Sequence, residues 1–182
     1  FCLVRTTAVA QSANSMATIS GFTDADFVQQ CEGLGAYIAP QIASLDNTAP
    51  DVVQQNVVSQ LESSGMTTER LRNVGVICLG IGFREDRSDV ALASALIMVG
   101  IDEPAYGEVI AHHLREGFGA TASPQQADVW MDLAISGLEG GATPAFLPNQ
   151  SSDRIALLRA AMNGELVAPS GGGLPTFGVP AQ

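Results

Sequence analysis

Lysine is missing from this chain. All eight basic residues are arginine, against nineteen Asp and Glu, for a formal charge of −11 over 182 residues. A genome rich in G and C, which writes arginine where others write lysine, accounts for this at the level of composition. A salt-adapted acidic shell would need more charge than the 15% present here, since ordinary globular domains carry ~25%. Escape from lysine-directed modification finds no second feature to support it. The arginines, at 5, 70, 72, 84, 87, 115, 154 and 159, are scattered. They form no basic stripe to displace counterions, so nucleic acid and anionic lipid are excluded as expected partners.

Long hydrophobic runs are missing too. The longest apolar stretches, Val74 to Phe83 and Val90 to Val99, reach about half the ~20 residues of a bilayer-spanning helix. They read as buried core, and no transmembrane segment is expected. Gly80-Ile81-Gly82 lacks a third glycine, a P-loop lysine and a preceding strand, which removes a nucleotide loop. No G-x-S-x-G elbow and no calcium-loop spacing occur,. Three cysteines, at 2, 31 and 78, have no C-x-x-C spacing,. Cys31 and Cys78 each fall within an apolar stripe. They are disulfide candidates if the chain is exported, and small buried hydrophobes otherwise.

What is present is a 46% hydrophobic content, punctuated from residue 22 to 164 as a succession of helices with almost no alternating run. The expected fold class is all-α, a single compact bundle of about seven helices with irregular N- and C-terminal arms. The first helix follows Thr23-Asp24-Ala25-Asp26 and aligns Phe27, Cys31, Leu34 and Ile38, with Pro40 kinking or ending it,. The second starts near Pro50 and stops at Gly65, and Thr67 caps the third,. That third helix, Thr68 to about Phe83, and the fourth, Asp89 to Val99 with Asp86 or Ser88 as its cap, are apolar on all sides and therefore central,. Gly75, Gly80 and Gly82 each weaken the third by about 1 kcal/mol relative to Ala, so neighbouring backbones are expected to approach closely there. A fifth opens at Asp102 and closes before Gly117. Ser123-Pro124-Gln125-Gln126 is the clearest start signal, for the sixth, and the seventh begins at Ser151 or Ser152,.

Two arms flank this domain of 22–164. Residues 1–21 include Ala8-Val9-Ala10, a small-x-small cleavage pattern that makes the arm a candidate signal-peptide remnant, although Arg5 interrupts the apolar region such a signal needs,. A periplasmic or secreted location is the expectation, and a cytoplasmic one the alternative. Residues 165–182 are rich in Gly and Pro yet carry Leu174, Phe177 and Val179, which a free tail gains nothing by exposing,. These three mark an interaction arm.

Chemistry-bearing residues are few. His112 and His113 diverge around the helical wheel: His113 falls on the apolar face with Tyr106 and Ile110, His112 on the polar side near Glu108,. They do not readily ligate one ion together, so no metal and no cofactor is expected. A cysteine or serine nucleophile would need a histidine base, and only His113 is placed to be half-buried. The leading expectation is a non-enzymatic helical interaction or assembly subunit, of the cell envelope, binding a protein partner or a second copy through its arms and helix faces. The alternative is a small-ligand module with an apolar pocket near Tyr106, His113 and Trp130.

Overall fold

The computed structural model describes residues 1–146 and 151–163. Among them the chain forms eight α-helices and no strand: α1 (Cys2–Met16), α2 (Asp24–Ile42), α3 (Pro50–Ser63), α4 (Thr68–Arg84), α5 (Ser88–Gly100), α6 (Gly107–Glu116), α7 (Pro124–Glu139) and α8 (Ser151–Met162), with a 3-10 turn, Pro104–Tyr106, leading into α6. The fold is an all-α bundle. No described helix is long and apolar enough to cross a membrane.

Every residue of α5 from Val90 to Val99 is buried. A helix apolar on all sides must be wrapped on all sides, and α5 packs against α2, α3, α4 and α6. Helix α4 is the second central element, buried from Ile77 through Phe83 and lying between α1 and α5. Its glycines divide between these neighbours. Gly75 and Gly82, seven residues apart and so on nearly one face, turn towards α5. A Cβ on Gly82 would stand 2.6 Å from the backbone nitrogen of Ala91, and one on Gly75 would stand 2.5 Å from Met98 Sδ. Gly80 turns towards α1, where a Cβ would collide with Ser12 Cβ and stand 2.6 Å from the Ala8 carbonyl oxygen.

The N-terminal segment differs from the expected irregular arm. Residues 2–16 are helical, Val4, Ala8 and Ser12 are buried, and the Ser12 hydroxyl donates to the Ile77 carbonyl at 2.7 Å. The segment is weakly amphipathic because its buried line is built of small residues, which suit the glycine on α4 but give little hydrophobic contrast. The described residues thus form eight helices instead of about seven. Two of the three buried α1 residues, Val4 and Ala8, precede Ala10 and would leave with a cut there. The C-terminal arm, 165–182, with Leu174, Phe177 and Val179, lies outside the described residues.

Local start signals act as their chemistry dictates, with three exceptions, one being that Asp102 does not open a helix: it adopts φ +67, and α6 begins only at Gly107, after the 3-10 turn Pro104–Tyr106. Thr23 and Asp26 form a reciprocal capping box on α2, and the Thr67 hydroxyl accepts from Arg70 N–H on α4,. Pro40 sits inside α2, which ends two residues later at Ile42. Neither Asp86 nor Ser88 caps α5, which follows Arg87 without a side-chain cap. Asp86 instead adopts φ +53 and accepts a bond from Arg5 at 2.7 Å. Ser123 precedes Pro124 of α7 as expected, yet its hydroxyl donates to the distant Asp46 carbonyl at 3.4 Å rather than capping. Its proton goes to a tertiary acceptor, and no N–H of the first turn bonds to its oxygen.

Cys31 of α2 and Cys78 of α4 are joined by a disulfide, with Cα atoms 5.2 Å apart and a sequence separation of 47. Closing a loop of that length stabilises the fold by about 4 kcal/mol in the chain-entropy model.

Two glycine-to-alanine substitutions are predicted to move stability in opposite directions. Gly33, inside α2, has nothing within 4 Å of the position a methyl group would take, so Gly33→Ala raises unfolding free energy by about 1 kcal/mol through helix propensity. Gly80→Ala drives a methyl into α1 backbone and lowers it by about 1–3 kcal/mol. Urea unfolding midpoints at constant m-value measure both.

Candidate functional site

The C-terminal turn of α6 is where the sequence concentrates its titratable chemistry. Helix α6 ends at Glu116, the φ of +74 at Gly117 lets the chain reverse, and the N–H groups of Gly117 and Phe118 both bond to the His113 carbonyl, at 2.9 and 3.0 Å,. The reversal brings the Phe118 carbonyl 2.7 Å from His113 Nδ1. A carbonyl oxygen only accepts, so Nδ1 carries the proton. His113 is 1% exposed. Burial, reinforced by the nearby His112 and Arg5 and opposed by the Phe118 bond, pushes its pKa down to about 4,. At neutral pH the ring is uncharged and Nε2 is a bare lone pair. That atom is buried and has no hydrogen-bond partner among the described residues.

Aromatic rings surround this imidazole. Phe83 of α4 stacks on it at 5.9 Å, Phe1 meets it edge-on at 5.8 Å, and Phe118 does so at 6.5 Å. Arg5 lies over the Phe83 ring at 5.6 Å, a cation–π contact, and donates through Nη2 to the Phe83 carbonyl at 2.7 Å,. Phe1, Arg5, Gly82, Phe83, Asp86, Ser88, His113 and Phe118 together line a cavity of about 210 Å³. It sits where α1, the end of α4, the start of α5 and the end of α6 converge.

The three residues expected to share an apolar pocket occupy different surroundings. Only His113 lines this cavity. Tyr106 is buried at the start of α6 against Phe146, ring centroids 5.6 Å apart, and its burial raises the phenol pKa to about 12. Trp130 is fully buried on α7, where its carbonyl stands 2.9 Å from the place a Cβ on Gly107 would take.

His112 and Glu108 are not the solvated pair their helical face suggests. Glu108 is 3% exposed, because Arg154 of α8 covers it: Arg154 Nη2 bonds to Oε1, and Nε lies 3.3 Å from Oε2. His112 Nε2 approaches the same carboxylate at 3.3 Å. Nothing along α6 announces a cover supplied by a helix some forty residues later. A polar residue on a polar face is buried only when its partner arrives with it. Among the described residues no group of three or more His, Cys, Asp or Glu side chains is arranged to hold a metal ion.

Comparison with protein-family models, with curated proteins and with solved structures finds no match for this chain. Geometry alone therefore carries the functional reading.

His113 makes stability pH-dependent in a defined direction. Its folded pKa of about 4 lies below the 6.5 of an exposed imidazole, so between these values the unfolded chain binds a proton that the folded chain refuses. The contribution is complete above about pH 6.5 and is lost as pH falls towards 4. Comparing urea unfolding at pH 7 and 4.5, wild type should lose about 2 kcal/mol more than His113→Asn, which keeps a donor for Phe118 but does not titrate. Equal losses would show that the ring is not buried as described.

Proposed function

We propose that this chain is a non-enzymatic helical module that binds a small ligand in the cavity beside His113. The observation that carries this reading is a cavity of about 210 Å³ lined by Phe1, Phe83, Phe118 and His113 together with Arg5, Asp86 and Ser88. Concave, mostly apolar sites with one or two fixed polar atoms are what small-molecule sites look like. Several chemically capable groups are committed to structural bonds, Cys31 to Cys78, Glu108 to Arg154 and His113 Nδ1 to Phe118, and the free thiol of Cys2 is exposed at the start of α1. That commitment supports binding over catalysis. The buried disulfide supports an oxidising location, periplasmic or extracellular.

A panel of small polar, apolar and aromatic compounds, scored by melting temperature, tests the reading against Ser88→Leu, which fills the cavity. A ligand present at a hundred times its Kd stabilises by about 2.7 kcal/mol, which for a chain of this size raises Tm by roughly 5–10 °C. At least one compound should do so in wild type and not in Ser88→Leu. If every compound acts alike on the two proteins, the cavity is not a site.

A second reading, an interaction or assembly subunit that binds a protein partner or its own copy, is favoured by large apolar side chains left on the ordered surface: Phe22 at 48% exposure, Phe118 at 45% and Leu3 at 43%. The apolar residues Leu174, Phe177 and Val179 of the C-terminal segment add to it. On this reading the full chain is an oligomer, or copurifies with a partner, and deletion of 168–182 lowers its mass in light scattering. A full-length monomer, or an oligomer unaffected by truncation, removes it.

A further inference from the structure

We propose that the cleft walled by Phe1, Phe83 and Phe118 is the docking site of this chain's own C-terminal segment, residues 174–179, with the Phe177 ring inserted among those three rings. The inference goes beyond the ligand-binding reading and stands without it; where both hold, a free guest must displace the segment.

Reach comes first. The segment follows α8, and α8 is fastened through Arg154 to Glu108 on α6, whose other end carries His113 and leads to Phe118. From Asn163 back to Arg154 is about 14 Å along the helix, and from Glu108 to His113 about 8 Å more. Phe177 lies fourteen residues after Asn163, and a linker of Gly-rich type and that length has an end-to-end distance of roughly 20 Å. A tether whose reach matches its span gives the highest effective concentration, on the order of millimolar.

Charge comes second. Positions 166–182 hold no charged residue, so the acidic bundle does not repel them. Two whole chains, each at −11, do repel one another, which favours the chain's own segment over that of a second copy.

Wall chemistry completes the match. Pro175 and Pro180 are incompatible with a helix,, and a three-residue spacing puts Leu174 and Phe177 on one side of a polyproline-type backbone. Proline-bearing segments of this kind dock in aromatic-lined grooves, because little ordering entropy remains to be lost. Here the groove offers three phenylalanines, and Phe118 stands 45% exposed. A dry cavity of about 150 Å³ admits benzene, so about 210 Å³ admits one phenylalanine ring. Phe1 and Phe83 are inclined at 81°, and an incoming ring can stack on one and meet the other edge-on.

The test compares ¹⁵N amide spectra of the full chain and its Phe177→Ala variant at several protein concentrations. Loss of the ring weakens docking roughly tenfold or more. The amides of Phe83, Ser88 and Phe118, remote from residue 177 in sequence, should therefore shift, and by the same amount at every concentration. In Ser88→Leu, which fills the cleft, the resonances of residues 174–179 should shift in turn. If Phe177→Ala moves no amide of the cleft, the docking is overturned and the small-ligand reading is left standing. Shifts that grow with concentration would overturn it in favour of a segment supplied by a second copy. Unmoved segment resonances in Ser88→Leu would place the docking elsewhere and overturn it as well. Should Ser88→Leu fail to fold, the Phe177→Ala comparison decides by itself.

Discussion

Helix α4 meets its two principal neighbours, α1 and α5, with almost no side chain between the backbones. At Gly80 the contact is with Ala8 and Ser12 of α1, and at Gly82 with Ala91 of α5. The intrinsic penalty of glycine in a helix, about 1 kcal/mol at each position, is offset by dispersion contacts that only such close approach permits. The disulfide from Cys78 to Cys31 then fastens α2 to the same helix. Because Phe83 directly follows Gly82, the depth of the α4–α5 contact also sets where the Phe83 ring lies against His113 and where its carbonyl meets Arg5. The cavity is thus a consequence of how α4 is seated.

Arginine supplies the second level of organisation. Arg72 bridges to Glu103, Arg84 to Asp24, Arg87 to Glu32, Arg115 to Asp128, Arg154 to Glu108 and Arg159 to Glu139. Each pair joins residues far apart in sequence, and several use two nitrogens on one carboxylate, as Arg84 does on Asp24 at 2.9 and 2.9 Å. A planar fork suits this geometry better than an ammonium does. Most of these pairs are exposed and each contributes little to stability. The Arg154–Glu108 pair differs, since both groups are buried and removal of either partner would strand a charge,.

The helical class, the central pair α4 and α5, and the close approach at their glycines are legible in the sequence, because periodicity, burial and glycine cost are local quantities. Thr23, Thr67 and Pro124 likewise announce helix starts by chemistry that acts within one turn. What escapes is whatever depends on a distant partner. The α1 helix has only Val4, Ala8 and Ser12 to mark its buried line, and that line has meaning only opposite Gly80. Ser123 looks like a cap until Asp46 presents a carbonyl, and Glu108 looks solvated until Arg154 arrives. For the site, His113 is identifiable from its apolar face. The ring of Phe1, Phe83 and Phe118 around it is not, because those residues come from three segments whose meeting point is set by tertiary packing. Tyr106 and Trp130 share the apolar character of His113 but not its location.

If α4 is the element on which the rest depends, α1 must be as much a part of the cooperative core as α5, despite its weak pattern. Native-state hydrogen exchange measures this directly, since helices that open separately exchange at lower free energy than the global value. The account predicts that amides of α1 from Ala8 to Ser12 exchange at the same free energy as those of Cys78 to Phe83 and Ala91 to Val99, and shift together with them when denaturant is added. Exchange of the α1 amides several kcal/mol below the α4 and α5 amides, with no common response to denaturant, would contradict it.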